Sequence, residues 1–556
     1  MTNMIPPTAL SHITNSIVNS GLPLTIEDKR GFNLRARISQ FPDELFSEIF
    51  LDVQHAYLLV LERDEGFFTP FEDVGSELWI GITHVCHRWR QIALGIPKLW
   101  TRVVSSPDNN KWTQEMLIRS KNKFLTTIIL GRVDSETRPI ELKKEQLDQI
   151  RTLSRTLSMR NLTCEDLHKF WPPKWAAQNL DHLVIQCDDE HPSFSTSPFT
   201  LSDSNLVATS LRRLEIRKCR FDWKSGFLNH LTHLGLGRLP ADMQLGFWDF
   251  IKALSRMPLL QELRLDYGHV RDASNSGSPP SPEGIIVTPP WQFLDITDKL
   301  LNIALFLNHI ALQPLARLHL TTSDNLLARE ITFYFILRRV QNHFNQTAGP
   351  SESNQIRSFK FCELPGYFSL QGYNEILSED DGLHTHTGLF VLTFMSFDND
   401  DMPSFSINSG DILFQILPLN HIVVLELSMP NFCLTRSAWT TTLGSIPTLE
   451  TIRVNVGEPM SFFMALLPSA NGSVVPFRAL KSLGLLAPLT LEDNYYLLRI
   501  MKTRHDECRM PLREFVFFNV DDDSLPPPDL IYNLSLFIPY VGVRFSKHYL
   551  EKCLLS

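Results

Sequence analysis

Apolar residues in this chain recur at two periods. Near the N-terminus the spacing is helical. Phe41-Pro42-Asp43-Glu44 opens the first patterned segment. A proline at a first helical position loses no hydrogen bond, and Asp43 and Glu44 complement the positive end of a helix. Leu45, Ile49 and Phe50 then form one apolar face. A second stripe runs Leu78, Ile82, Val85, Trp89 and Ile92, broadened by Cys86 and Ala93 and ended by Gly95 and Pro97. Farther on the pattern becomes Φ-x-x-Φ-x-Φ, with Φ apolar. Copies begin at Leu180, Leu211, Leu231, Leu260, Leu315, Ile356, Leu389, Ile422, Leu449, Leu480 and Leu512. From Ile356 onward the period is about 31 residues.

The alternation within each copy predicts a short strand, and helical spacing fills the gaps. Phe247, Ile251 and Leu254 step by helical turns, as do Trp439, Leu443 and Ile446. Residues 331–340 read as a helix. Thr490 and Asp493 form a capping box ahead of Tyr495, Leu498 and Met501. A unit of one strand and one helix cannot bury its own apolar face. Stacked units share one core, so the fold class expected is α/β: a helical module followed by an irregular solenoid of parallel strands backed by helices. The longest gap between copies holds Ser278-Pro279-Pro280-Ser281-Pro282 and Thr288-Pro289-Pro290, which marks 268–292 as a disordered loop. The expected divisions are a variable segment 1–36, a helical domain 37–104 and a repeat domain 105–556.

Some N-terminal residues carry a resemblance. Phe41-Pro42-Asp43-Glu44-Leu45 with Ile49-Phe50, then Val85-Cys86-His87-Arg88-Trp89-Arg90-Gln91-Ile92-Ala93, then Pro97-Lys98-Leu99-Trp100, resemble an F-box. The similarity is greatest to the F-box-like modules of large fungal families, and Leu117-Ile118-Arg119-Ser120 is similar to a segment common in that group. Phe41 stands where a leucine is usual, and residues 52–78 form an insertion between the first two helices, some of which extends the first. The resemblance implies binding to the Skp adaptor of a cullin-RING ubiquitin ligase. Carried over, the contact face is Phe41, Pro42, Leu45, Ile49, Val85, Trp89, Ile92 and Trp100, with Trp79 and Leu99 as internal packing. The repeats resemble divergent leucine-rich repeats, the usual companion of such modules. The Asn or Cys expected three residues past the last Φ is present only as Cys219. Irregular repeats follow from that loss.

Composition narrows the functional classes. Asp+Glu number 61 against 52 Lys+Arg, a net charge of -9 with no basic block, so neither nucleic acid nor an anionic membrane is an expected partner. The eight cysteines form no C-x-x-C pair and read as reduced thiols of a cytoplasmic or nuclear protein. No signal sequence is visible, and the N-x-S/T sequons at Asn161, Asn345, Asn471 and Asn533 are chance. With only 25 glycines and no P-loop, dinucleotide, zincin or nucleophile-elbow motif, no enzyme, cofactor or metal site is expected. His384 and His386 lack a third ligand, and the acidic runs 398–401 and 521–523 read as solvated turns, with binding of a basic partner as the alternative. The resemblance thus implies a substrate receptor of a Skp–cullin–F-box ligase, with an F-box scaffold outside a ligase as the alternative. The target protein is unknown. It would meet the x positions of the repeats, such as Arg213, Glu215, Arg264, His319, Lys360, Glu426 and Arg453.

Overall fold

The computed structural model describes residues 37–63, 78–105, 110–131, 142–187, 199–267, 289–313, 316–322, 330–346, 355–364, 367–377, 388–395, 413–429, 434–456, 459–468, 475–486, 489–520 and 525–545. Segments 1–36 and 268–288, His384, His386, and the acidic runs 398–401 and 521–523 lie outside the described residues. The fold is mixed α/β with a large, mostly parallel sheet and helices. The chain divides into two compact units, Met1–Val184 with Glu190–Ser193, and Ile185–Asp189 with Phe194–Ser556.

In the first unit, helix α1 (Asp43–Arg63) runs on into the insertion. It is followed by the short α2 (Ile82–Val85) and by α3 (His87–Gly95). A 3-10 turn, Pro97–Trp100, leads to strand Arg102–Ser105, which contains the 104/105 boundary expected from sequence. That strand pairs in parallel with Leu125–Leu130, which pairs with Ser154–Leu162. The module therefore continues into a sheet within one compact unit.

In the second unit, strands Arg213–Arg217, His233–Gly237, Glu262–Asp266, Phe293–Thr297 and Arg317–Thr322 pair in parallel in chain order. The inward leucines stay in register, as in Leu214↔Leu234↔Leu263↔Leu294↔Leu318. Strand entries share one device: consecutive amides of a strand donate to one carbonyl of its neighbour. Thr232 and His233 both reach Arg212 O, and Gln261 and Glu262 both reach Thr232 O. At the exits, Lys218 N donates to Gly237 O, Arg238 N to Asp266 O and Tyr267 N to Thr297 O. Lys218, Arg238 and Tyr267 adopt positive φ there, of 56, 46 and 39°. The backbone itself satisfies these turns, so the missing Asn at the post-strand position leaves them bonded.

Three expectations change. Strand Phe293–Thr297 and helix Leu300–His309 fill the longest gap. The strand fits the repeat pattern, with Trp291 (1 % exposed) at the first Φ, but it sits directly behind the proline run that masked it in the sequence. Secondly, strand order departs from chain order. Arg317–Thr322 pairs with Phe390–Met395, not with Ser358–Leu364. Antiparallel Tyr367–Tyr373 lies between Phe390–Met395 and Ser358–Leu364, and the latter pairs with Val424–Met429. The connection through helix Glu330–Gln346 thus passes two strand positions, and a meander fills them on the way back. Leu320, not Leu318, meets Leu392, a slip of two residues that keeps each apolar side chain on the same face. Parallel order resumes through Thr451–Val456, Ser482–Leu486, Glu514–Val520 and Tyr540–Phe545.

The third change concerns cysteine. Cys187 and Cys219 are disulfide-bonded, with Cα atoms 5.7 Å apart, whereas all eight had been expected as thiols. Cys219 occupies the post-strand position and Cys187 lies one residue before the same position of the preceding copy. Stacking of copies brings such positions together, a proximity that their separation of 32 residues conceals. Farther along, the capping box at Thr490 forms, but helix Leu491–Asp506 buries Asn494, Leu497, Ile500, Met501 and Arg504, and Tyr495 is 63 % exposed. Two polar residues complete the buried stripe. Arg504 does so by donating to the carbonyls of Leu466, Pro476 and Phe477 at 2.9, 3.3 and 3.1 Å.

Candidate functional site

Helix α1 carries two apolar stripes side by side. Phe46, Phe50 and Gln54, spaced by four, point inward and are buried. Leu45, Ile49 and Val53, one position earlier, point outward at 44, 41 and 43 % exposure. The inward stripe closes on α3. The rings of Phe46 and Phe50 each lie 5.3 Å from that of Trp89. Gln54 Nε2 donates to Leu99 O at 2.9 Å and ties α1 to the 3-10 turn. Cys86 caps α3 by accepting from Trp89 N. Arg88 Nη2 reaches Asp43 Oδ1 at 2.6 Å and Phe41 O at 2.7 Å, which pins the start of α1 to α3. This ion pair is exposed and contributes little by itself.

Ile38, Phe41, Pro42 and Val85 are exposed as well. Contiguous exposed apolar patches mark interaction sites in proteins generally. Of the eight residues expected on a contact face, Phe41, Pro42, Leu45, Ile49 and Val85 are exposed, and Trp89 is half-buried. Ile92 and Trp100 are buried. Ile92 is 9 % exposed and Trp100 1 %. Trp100 Nε1 donates to Ala93 O at 2.9 Å, and its ring packs 5.8 Å from Trp112 with the Arg119 guanidinium 5.0 Å over it. Both are core residues, because the 3-10 turn folds the indole back under α3. Leu99 is buried as expected, and the Trp79 side chain lies outside the described residues. Val53 and Ile38 were missed in the sequence. The i, i+4, i+8 spacing of Leu45, Ile49 and Val53 was the available signal.

The second unit presents a different surface. The x positions of its strands form a polar face, and cross-strand register brings Glu215, Arg264, Asp295 and His319 into one row, with Gly235 between the first two. Lys360, Glu426 and Arg453 make another row. Most charges there are paired. Arg217 bonds Asp266 at 2.7 Å, passing over Gly237, where any side chain would crowd the Arg217 Cγ. His233 Nε2 lies 3.1 Å from Glu262 Oε1, a contact that holds the Glu262 carboxyl below its usual range. Lys360 and Arg453 both approach Glu426, at 2.6 and 3.4 Å.

Asp295 differs. Its cross-strand neighbour Arg264 turns away, placing its guanidinium 5.1 Å over the Phe293 ring, and Arg317 sits 5.5 Å from the same ring. Among the described residues no hydrogen bond reaches the Asp295 carboxylate. Burial raises its pKa to about 6, against the pull of Arg264 and with the push of Asp266. On the other flank, His319 packs edge-on against Phe293 at 4.8 Å, and its Nε2 lies 3.4 Å from Gly388 O. Burial lowers its pKa to about 4, so it is neutral at physiological pH.

Among the described residues no group of three or more His, Cys, Asp or Glu is placed to hold a metal ion, and no helix is long and apolar enough to cross a membrane. No family model, curated protein or solved structure matches the chain.

Proposed function

We propose that the chain is a substrate-recognition subunit of a Skp–cullin–F-box ubiquitin ligase. The N-terminal module docks on the Skp adaptor through Phe41, Pro42, Leu45, Ile49 and Val85, and the strand domain, read as a divergent leucine-rich-repeat solenoid, holds a target protein. The observation that carries this reading is the second apolar stripe of α1. Leu45, Ile49 and Val53 lie outside a core already completed by Phe46, Phe50 and Trp89. A surface helix gains no stability from such a stripe unless a partner covers it.

The role is connective. Such a receptor performs no bond chemistry. It raises the effective concentration of target lysines near a charged conjugating enzyme and restricts their approach. No catalytic residue or cofactor is assigned.

Co-purification with the Skp adaptor is the test. Leu45→Glu, Ile49→Glu and Val85→Glu place charges on exposed positions and leave the Phe46–Phe50–Trp89 core whole. The combined variant is expected to keep its melting temperature within a few degrees and to lose adaptor binding by at least about tenfold, as loss of several central anchors does. Undiminished capture by the folded variant would remove this face from the interaction.

A further inference from the structure

We propose that Asp295 is the anchoring carboxylate for a lysine or arginine side chain of a protein ligand laid along the polar face of the sheet. The inference rests on the reading of the strand domain as a protein-binding surface and is independent of the adaptor.

Three observations point to a cation. The neighbouring acids Glu262 and Asp266 each hold a basic partner within the chain, whereas among the described residues Asp295 has only the electrostatic attraction of Arg264. A recessed carboxylate without a donor costs free energy that a bound donor recovers. Next, the two guanidiniums nearest to it lie over Phe293, at 5.1 and 5.5 Å, and among the described residues neither hydrogen-bonds the Asp295 carboxylate. Finally, the flank formed by His319 is uncharged and aromatic, and the imidazole is fixed against Phe293 and Gly388 O. An aliphatic stem can lie against such a flank while its charged end reaches the acid.

The depth of the group selects the ligand. Asp295 keeps only part of its surface open. A ligand main chain resting on the outer side chains cannot touch it, but a lysine or arginine can. Arg264 and Arg317 beside the site favour acidic residues elsewhere in the same ligand, and this pairing of signs separates the site from one for a polyanion.

Protonation of Asp295 would release such a ligand. The titratable and charged groups facing it are Glu262, Arg264 and Asp266 from one strand and Arg317 and His319 from the other. Glu262 is held ionised by His233, and His319 gains a proton only near pH 4. Of Glu262, Asp295 and His319, it is Asp295 whose charge is expected to change between pH 5.5 and 7.5.

Random 12-residue peptides displayed on phage and panned against the full chain at pH 7.5 test the proposal. The native chain is expected to enrich peptides with Lys or Arg at one fixed position, and Asp295→Asn and Asp295→Leu are each expected to abolish that enrichment. A selected peptide should bind Asp295→Asn at least about tenfold more weakly. Replacing its basic residue by norleucine should cost the native chain as much and cost Asp295→Asn nothing more, the mark of a direct pair. Its affinity for the native chain should fall at pH 5.5. A chain carrying Leu45→Glu and Ile49→Glu should select the same peptides, which separates this outcome from the adaptor reading. Enrichment without a basic position, enrichment of acidic residues alone, or equal binding by Asp295→Asn would each overturn it.

Discussion

Replacing Asp295 by Asn should stabilise the protein at neutral pH and leave it unchanged in acid. A carboxyl whose pKa rises from 3.8 to about 6 on folding makes the folded state the tighter binder of its proton. Between those values the unfolded chain releases the proton first, so stability falls as pH rises. The full cost, about 3 kcal/mol, is present above pH 6. Asn keeps the shape and removes the charge, so at pH 7.5 the variant should be more stable by up to about 3 kcal/mol, and at pH 4 equal to the native chain. His319 supplies the counterpart. Its pKa falls from 6.5 to about 4, so its contribution is whole above pH 6.5 and is lost as pH falls, again by about 3 kcal/mol. Across pH 4 to 6 the two slopes oppose each other in the native chain and nearly cancel. In Asp295→Asn only the histidine slope remains, and stability should climb steadily with pH through that window. Urea unfolding of both chains from pH 4 to 8 reads the difference directly, and groups common to both drop out of it. A difference that stays constant with pH would show that Asp295 is already ionised at low cost, and the argument from its burial would fail.

Other outcomes follow from the same packing. Trp100→Ala should cost about 3–5 kcal/mol in thermal unfolding, because it empties a buried indole site beneath α3; any loss of adaptor binding should then track unfolding and vanish on cooling. Arg504→Met strips donors from the Leu466, Pro476 and Phe477 carbonyls and should destabilise by about 3 kcal/mol or more, and Arg504→Lys should recover only part because one ammonium lacks the planar fork. Opening the Cys187–Cys219 bond by reductant, or by Cys187→Ser with Cys219→Ser, should lower stability by about 3–4 kcal/mol for a loop of this length, and identical unfolding with and without reductant would show that the two sulfurs are not bonded.

The sequence by itself determined the local elements. Helical spacing located α1, α3 and the helices Phe247–Ser255 and Glu330–Gln346, because burial against one side imposes a 3.6-residue period whatever the partner. The strand pattern located most of the parallel ladder for the same reason at period two. Leu45, Ile49 and Val85 read as a contact face only through the resemblance to an F-box; their spacing alone marks them as apolar helix positions without saying whether they face the core or solvent.

Tertiary structure decided what depends on distance through space. The exchange of strand order around Tyr367–Tyr373 leaves the apolar pattern intact, since a strand buries the same face beside either neighbour. Trp100 read as a contact residue until the 3-10 turn placed its indole under α3; periodicity says which residues are apolar, and not which of two apolar surfaces they join. Asn494 and Arg504 could not be assigned to a buried stripe, because polar residues enter a core only where specific carbonyls or donors await them. Asp295 is the sharpest case. Its sequence context is that of Glu215 or Glu426, an acid between two apolar residues of a strand. What sets it apart is that Arg264 and Arg317 are drawn to Phe293, leaving the carboxylate without a hydrogen-bond partner among the described residues. That distinction exists only after three strands are aligned, because the energy of a charge is set by what surrounds it and not by its place in the chain.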